Sequence, residues 1–599
     1  MNRRSIPIAV WVLAAGLLAG GLYPAQAAEP PSWVERSNEN TRVLLDVMAR
    51  FAPEQAGFFG IDGLDEEVTR LPLDAEEQAM RAIEGALATL RPRLDQEKDP
   101  AVREDLEILI AAAEQQIEAN RMDRKHNLPY MNLPQAVFQG IRALLDERIP
   151  EARRPAALVR LRRYAGLEPG YTPFTAQAEA RLRAGLANAS LRAPFKDSLE
   201  KDLANAPRFI GGIKELFGKF GLAEWEEPYA ALEAQLQGYS DFLRAELLPK
   251  ASTDFRLPAE LYALQLRQFG IDMKVEELVS RAKTSFREIQ NELQALAPRV
   301  AQEKGFTATD YRDVIRELKK KQLGGDAILP HYQHRVTDLE KLIRASKLLT
   351  LPEREMKVRL ASEAESAATP APNFQPARLI GNTGEHGEFV LPLSIPSEKG
   401  EAEVQFDDFT FEAASWTLTA HEGRPGHELQ FSSIIEKGVS QARVLFAFNS
   451  VNVEGWALYA EAEVKPMEPL DGQLIALQHR LLRAARAFLD PGLQLGAITR
   501  EEAYHVLENE VVLSHAMALQ EVERYTFWAP GQAPSYFVGY SRLMELRTDA
   551  ERMLAGSFDR QSYHDFILAQ GLLPPVLLRK AVLEGYIAPR KGEAEKAAK

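Results

Sequence analysis

Apolar residues recur with the period of an α-helix through most of the first two thirds of the chain. From about position 75 to position 363 the segments are rich in Ala, Leu, Glu, Arg and Gln. One apolar stripe follows the i, i+3, i+4 spacing of a buried helix face. This stripe consists of Leu106, Leu109, Ile110 and Ala113. The pattern predicts a helical scaffold over residues 28–368.

The amino-acid composition changes between about residues 369 and 394, where Pro, Asn and Gly become frequent. The run from Gly387 to Leu393 is mostly apolar and predicts a short strand, interrupted near its end by Pro392. Two interpretations of this strand stay open. As an edge strand it could pair with an extended peptide through backbone hydrogen bonds, or it belongs to a purely structural hairpin.

The helical pattern resumes after Phe411 and predicts a helix that delivers His421 and Glu422 at its buried end. The inward face of this helix consists of Phe411, Ala414, Leu418 and His421. No composition break separates residues 369–588 from the scaffold, so we expect one continuous body. The Lys-, Glu- and Ala-rich residues 589–599 are predicted to form a disordered tail.

The N-terminus has the composition of an export signal. Arg3 and Arg4 precede an apolar run that ends at Leu22, and Ala25-Gln26-Ala27 is a pattern that signal peptidase recognises. The alternative, a membrane anchor, needs about 20 apolar residues, and this run is shorter. Residues 1–27 are therefore predicted to be a signal peptide cleaved after Ala27, which leaves a periplasmic or secreted protein without stable membrane insertion.

Composition and charge narrow the chemistry further. The sequence contains no cysteine, so a disulfide framework and a lipid-modified cysteine are both excluded, and nitrogen and oxygen must hold any metal. With 45% hydrophobic and 26% charged residues the chain has the composition of a globular protein. Its net charge of −14 disfavours nucleic acid as a partner.

The segment from His421 to His427 reads His-Glu-Gly-Arg-Pro-Gly-His. In the common zinc hydrolase motif the two histidines lie four residues apart, so both reach one metal while the intervening Glu reaches the attacking water. Here they lie six residues apart, which puts them about 240° from each other on a regular helix. An unbroken helix cannot form this site.

Pro425 and Gly426 leave two interpretations of this spacing open. A local bulge could absorb two residues and bring the imidazoles together, or the helix simply ends and the histidines diverge. Glu454 favours a metal site, because a carboxylate from a second helix would complete a two-His, one-Glu set with one open position. Glu461 lies seven residues further on the same face and is either a partner of a ligand histidine or a surface ion-pair residue.

Several blocks in this order resemble the large bacterial family known as domain of unknown function 885, a branch of the zincin-like metallopeptidase group. The resemblance extends from about residue 40 to residue 585. The matching blocks are His-Glu-x-x-Pro-Gly-His at 421–427, Glu-Gly-Trp-Ala-Leu-Tyr-Ala-Glu at 454–461, Leu-Arg-Ala-Ala-Arg at 482–486, Glu-Val-Glu-Arg-Tyr at 521–525, Pro-Gly-Gln-Ala at 530–533, and Gly-Leu-Leu-Pro at 571–574.

This resemblance implies a mostly α-helical, elongated fold with a deep cleft and a small β-sheet beside the active-site helix. It implies that His421, His427 and Glu454 are zinc ligands and that Glu422 is the general base. The chain departs from the family at Glu428 and Gln494, where other members commonly have histidines.

Further candidates lie in the same half of the chain. An oxyanion requires a donor beside the metal, and Tyr536, which stands in a family motif, is preferred over Tyr540 four residues on. Both could equally be core tyrosines. Three arginines could bind a substrate carboxylate, although structural ion pairs are the preferred interpretation. They are Arg483, Arg486 and Arg547.

Together these features predict an exported zinc-dependent hydrolase that cleaves peptide bonds, with short peptides as substrates. Two alternatives remain. The same chemistry could cleave a non-peptide amide or an ester, and an inactive helical binding or scaffold protein could retain the fold.

Overall fold

The computed structural model describes residues 32–362, 365–366, 369, 371–382, 384–392 and 407–597. The predicted signal peptide, residues 1–27, lies outside these ranges. Most of the described residues are helical, as the apolar periodicity predicts. None of the described helices is both long enough and apolar enough to cross a bilayer.

A long series of helices precedes the sheet in the described part of the chain. They are α1 Ser32–Phe51, α2 Pro53–Phe59, α3 Ala75–Gln96, α4 Pro100–His126, α5 Leu133–Arg142, α6 Ala156–Tyr164, α7 Phe174–Leu186, α8 Lys196–Phe220, α9 Glu226–Phe242, α10 Ala259–Gln268, α11 Val275–Lys304, α12 Tyr311–Lys319 and α13 Gly325–Ser346.

The helices after the sheet carry the sequence motifs. They are α14 Glu412–Glu422, α15 His427–Lys437, α16 Ser450–Val464, α17 Leu470–Gln494, α18 Arg500–His505, α19 His515–Glu523, α20 Pro534–Leu554, α21 Arg560–Leu568, α22 Pro575–Ala581 and α23 Ala588–Ala597. Wider π-helical turns occur at Leu243–Leu247, Ala442–Phe446, Val506–Glu510, Arg524–Trp528 and Val582–Ile587. Short 3₁₀ turns occur at Glu151–Arg153, Leu248–Lys250, Lys465–Met467 and Ala555–Ser557.

Helix α23 covers most of the segment that we expected to be disordered. Its sequence is rich in Ala, Glu and Lys, which are strong helix formers. The expectation of a disordered tail over 589–599 therefore overlooked helix propensity.

A small sheet of three strands interrupts the helices. Its strands are β1 Lys357–Leu360, β2 Asn373–Gln375 and β3 Glu388–Leu391, in the order β1-β3-β2. β3 is the strand predicted around 387–393, and it ends directly before Pro392. It is not an edge strand, because β1 pairs with it in parallel and β2 pairs with it in antiparallel orientation. The sheet edges among the described strands are β1 and β2.

Buried apolar side chains of the described residues form three clusters. Helix α14 packs against two of them, since Ala414 and Leu418 belong to one cluster and Ala420 to another. The predicted inward face of α14 is buried, as expected. Leu339 and Ile343 belong to the same cluster as Ala420, so residues before and after position 368, the predicted end of the scaffold, share one buried core.

Candidate metal centre

His421 and His427 come from two different helices. His421 is the penultimate residue of α14, and His427 is the first residue of α15. Their imidazole rings lie 4.8 Å apart, centroid to centroid, and are nearly perpendicular. Both are buried. The spacing of six residues is thus accommodated by a new helix axis, neither by a bulge within one helix nor by divergence of the histidines.

The turn between these helices is held from several sides. Gly426 lies against the backbone carbonyl of His421, where any Cβ atom would collide with that oxygen. The indole Nε1 of Trp456 donates to the carbonyl of Pro425 at 3.0 Å. The Arg424–Pro425 peptide bond is cis.

Buried charges fix the same turn. Arg424 is 2% exposed and pairs with Glu428 at 2.6 Å and with Glu340 of α13 at 2.6 Å. Ser432 donates a further hydrogen bond to Glu428 at 2.7 Å. Glu428, one of the departures from the family pattern, therefore acts in this chain as the counter-charge of Arg424 and not as a group facing the histidines.

Glu454 of α16 completes the candidate metal-binding set. Its Oε2 atom lies 3.6 Å from Nε2 of His421 and 3.3 Å from Nε2 of His427. One ligand atom from each of the three residues lies within 4.8 Å of the others. Tetrahedral zinc, with ligand bonds of about 2.0–2.2 Å, separates its ligand atoms by roughly 3.4 Å. The two distances to Glu454 are close to this separation, so the three side chains form a set of donors that suits a metal ion.

The electrostatics of the three side chains also suit a cation. Burial alone lowers the pKa of His421, but the neighbouring carboxylates of Glu454 and Glu461 outweigh it and raise the pKa to about 9. Burial raises the pKa of Glu454, and the two histidines more than reverse this, so that the pKa lies well below its ordinary value. Oε2 of Glu454 is buried without a hydrogen-bond partner among the described residues. The site is thus built to hold positive charge.

Glu461 orients the first histidine. Its Oε1 lies 2.6 Å from Nδ1 of His421, and Thr417 donates a hydrogen bond to its other oxygen. Burial raises the pKa of Glu461, but Arg483 and His421 lower it to about 2, so the group is a carboxylate. It is 1% exposed, which excludes the surface ion-pair interpretation. Nε2 of His421 is thereby left facing Glu454 and His427.

Glu422 follows His421 directly and lies at the rim of the same centre. Its Oε1 is 4.0 Å from Nε2 of His421, and its side chain is 12% exposed. Burial raises its pKa, while His421 and His427 oppose that shift. The backbone of Phe374, in β2, also lowers the pKa of this carboxylate. The sheet edge formed by β2 thus lies beside the helix that carries His421 and Glu422, as predicted.

Tyr536 also reaches the centre, whereas Tyr540 does not. The ring of Tyr536 stacks on His421 at 6.1 Å with an interplanar angle of 12°, and burial raises the pKa of its phenol. Tyr540 lies one helical turn further along α20 and contacts Arg480, whose guanidinium is 5.3 Å from its ring centroid.

The three candidate arginines form ion pairs. Arg486 binds both oxygens of Glu521 at 2.7 and 2.5 Å. Arg483 lies 3.7 Å from Glu461.

Only two of these arginines belong to the neighbourhood of Tyr536. Arg486 and Arg483 lie 4.4 and 5.7 Å from its ring centroid. Arg547 instead pairs with Glu463 and Glu551, and none of these partners is a residue of the metal centre.

Gln494, the second departure from the family pattern, is structural. Its Oε1 accepts from the backbone N–H of Leu257 at 2.9 Å, and its Nε2 donates to the carbonyl of Tyr525 at 2.7 Å. It contacts none of the three candidate ligands in the described hydrogen bonds.

Sequence reasoning missed several residues at this centre. Thr417 donates a hydrogen bond to Glu461, the backbone of Phe374 lowers the pKa of Glu422, and Gln532 donates to Oε1 of Glu454 at 3.4 Å. Arg524 donates to the phenol oxygen of Tyr536 at 3.4 Å. Arg524 and Gln532 lie inside sequence blocks that resemble the family, so those blocks were the feature of the sequence that could have indicated these two residues.

A separate cavity of about 760 Å³ lies beside α20 and α22. Its wall includes Gln430, Asn452 and Trp456, which belong to the helices that carry His427 and Glu454. The candidate ligands themselves do not line it. The cavity is therefore distinct from the metal centre, although the same two helices separate them.

The chain belongs to the family described as bacterial protein of unknown function (DUF885), whose model matches residues 53–582. No curated protein matches it in sequence.

Two solved structures share its fold. One is a predicted lipoprotein from Colwellia psychrerythraea, 17% identical, with a TM-score of 0.71 over 92% of this chain and 99% of that chain. The other is a predicted lipoprotein of unknown function from Shewanella oneidensis, 18% identical, with a TM-score of 0.69 over 92% of this chain and 100% of that chain. These likenesses define the fold of this chain and leave its activity to be argued from the site.

Proposed function

We propose that this protein is an exported zinc-dependent hydrolase that cleaves peptide bonds of short peptides. One observation carries the proposal: His421, His427 and Glu454 converge on one point, and the carboxylate of Glu422 lies beside them. Two imidazoles, one carboxylate and a neighbouring unligated carboxylate are the components of a hydrolytic zinc site.

A bound Zn²⁺ would lower the pKa of a water molecule towards neutrality and polarise the substrate carbonyl. The proton transfers are carried out by a side chain of the protein. Glu422 accepts the proton of the attacking water and passes it to the departing amine, because it follows His421 directly, is not one of the three candidate ligands and is partly open to the solvent. Burial raises its pKa, which makes it a better proton acceptor than an ordinary surface glutamate.

Tyr536 is proposed as the donor to the oxyanion. Its phenol oxygen accepts a hydrogen bond from Arg524, so its own proton remains free to be donated to a developing negative charge. Glu461 keeps His421 in the tautomer that presents Nε2 to the centre. Tyr536 is thus proposed to stabilise the oxyanion, and Glu461 to orient His421.

Export is part of the proposal and is supported by the N-terminal sequence. The two structural relatives are described as lipoproteins, a class anchored through a cysteine, and this sequence has none. We therefore propose that this chain is released after Ala27 and functions in the periplasm or outside the cell.

The test combines metal analysis with peptide hydrolysis by the mature protein. We expect about one zinc per chain and cleavage of members of a short-peptide library, read by mass spectrometry. Glu422→Gln should retain the metal and lose turnover, whereas His427→Ala should lose both. Glu412→Gln, an exposed acid on the same helix, is the matched control and should behave as wild type.

The alternatives predict different results. An inactive scaffold purifies without stoichiometric zinc, and a hydrolase of other amides or esters binds zinc but leaves every library peptide intact. Full peptidase activity of Glu422→Gln would refute the assignment of the base.

A further inference from the structure

Arg524 lies beside the candidate metal centre. It begins a π-helical turn, a feature frequent at functional sites, and its side chain is partly exposed. Its Nη1 donates to Oη of Tyr536 at 3.4 Å and to Oε1 of Gln532 at 3.5 Å. Tyr536 in turn stacks on His421, and Gln532 donates to Glu454. The guanidinium of Arg524 thus contacts two residues that each contact a candidate ligand, His421 or Glu454.

Arg524 differs from its neighbours in having no carboxylate partner. Arg486 is paired with both oxygens of Glu521, and Arg483 is paired with Glu461. Among the ion pairs of the described residues there is none for Arg524. The charge of Glu521 acts on it from further away, but the oxygens of that carboxylate are already bound to Arg486.

Three guanidinium groups lie around Tyr536, those of Arg483, Arg486 and Arg524. They face the carboxylates of Glu461 and Glu521 and the candidate ligand Glu454, whose charge a bound metal ion would take up, so that positive charge is then in excess. Leaving a partly buried guanidinium without a carboxylate partner is costly, unless an anionic ligand supplies the missing charge. A carboxylate suits the flat fork of an arginine, which can donate two parallel hydrogen bonds to it.

We propose that Arg524 binds the C-terminal carboxylate of the substrate, so that the enzyme removes one or two residues from a free C-terminus. This inference rests on the proposed peptidase function. Hydrogen bonds of about 3 Å from Tyr536 to the oxyanion and from Arg524 to the carboxylate place these two groups at most about 9 Å apart. Extended peptide spans at most about 3.5 Å per residue, so about two residues fit between them.

The test compares one peptide in two forms, with a free C-terminal acid and with a C-terminal amide. We expect the zinc-loaded wild type to cleave the free acid with a kcat/KM about 100-fold higher than the amide. Arg524→Gln should abolish this preference by slowing cleavage of the free acid far more than cleavage of the amide, and Arg524→Lys should retain part of the preference. Arg542→Gln is the control, because Arg542 pairs with Asp272 and Glu545 away from the metal centre.

Binding gives a second readout that does not depend on turnover. In the Glu422→Gln background, calorimetry should show tighter binding of the free acid than of the amide, and Arg524→Gln should remove the difference. Thermal unfolding of each variant verifies that it is folded.

Two results would overturn the inference. Equal cleavage of acid and amide by the wild type would show that no carboxylate is recognised. An equal loss of kcat/KM on both substrates in Arg524→Gln would show that Arg524 acts by positioning Tyr536 and does not bind the carboxylate. A failure of the proposed function looks different, since neither form of the peptide would then be cleaved by the zinc-loaded wild type.

Discussion

Oε1 of Glu461 lies 2.6 Å from Nδ1 of His421, with both side chains buried. This contact fixes which nitrogen of the imidazole carries the proton and which one faces Glu454. Because Glu461 lies two helical turns after Glu454 on α16, one helix supplies both a candidate ligand and the group that orients another ligand.

Replacing Glu461 by Gln should weaken zinc binding. The amide keeps the shape of the side chain but removes the negative charge that favours N–H at Nδ1, and losses of about 10- to 100-fold in metal affinity are typical of such changes. Titration against a chelator measures the affinity. An affinity equal to that of the wild type would exclude this role.

Tyr536→Phe should lower kcat by about 100-fold and leave KM and metal content nearly unchanged, because the phenol proton is needed only when negative charge develops on the substrate oxygen. Steady-state kinetics on a cleaved peptide give both parameters. Tyr540→Phe is the matched control on the same helix, since Tyr540 contacts Arg480 and not His421. Equal losses in the two variants would contradict the assignment.

Gly455 and Gly539 bring α16 and α20 into backbone contact. A Cβ atom on Gly455 would lie 2.5 Å from Cα of Gly539, so both helices would have to separate. Gly455→Ala should therefore lower the free energy of unfolding by about 2 kcal/mol, measured by chemical denaturation. Gly556→Ala, where a Cβ atom meets no neighbour within 4 Å, should change it little. Similar stabilities of the two variants would show that the helices are not tightly coupled.

The pair of Arg486 and Glu521 predicts a pH dependence of stability. Burial raises the pKa of Glu521, but Arg486 and Arg524 more than reverse this and lower it from 4.5 to about 2. Since the folded pKa is depressed, the contribution is fully present above about pH 4.5 and is lost as the pH falls towards 2.

Glu521→Gln should remove this part of the acid sensitivity. It should also destabilise the protein by about 3 kcal/mol at neutral pH, because it leaves the buried charge of Arg486 unpaired. Measuring the free energy of unfolding from pH 2 to pH 7 gives its slope against pH for the wild type and for Glu521→Gln. Parallel curves for the variant and the wild type would contradict the prediction.

The sequence predicted the helical architecture well, because apolar periodicity is a local property. The buried face of α14 and the end of β3 before Pro392 are confirmed. Two interpretations of β3 were open from the sequence, and the structure excludes the edge strand, since β1 and β2 pair with β3 through contacts that a local pattern does not encode. The elongated outline and the deep cleft remain predictions.

At the metal centre, the residue types were predictable and the backbone path was not. A spacing of six excludes one helix but does not specify that a second helix begins at His427. The roles proposed for Arg524 and Gln532 depend on contacts with Tyr536 and Glu454, and the family-like blocks in which they stand do not specify these contacts.

Arg424 ties the turn between the histidines to Glu340, which belongs to a helix far upstream in the chain. A fragment that began after the sheet would lose this counter-charge together with the scaffold's share of the common core. The part of the chain after the sheet, which carries the candidate metal centre, consequently depends on the scaffold. Expressed alone, it would lack one of the two carboxylates that pair with the buried Arg424 in the turn before His427.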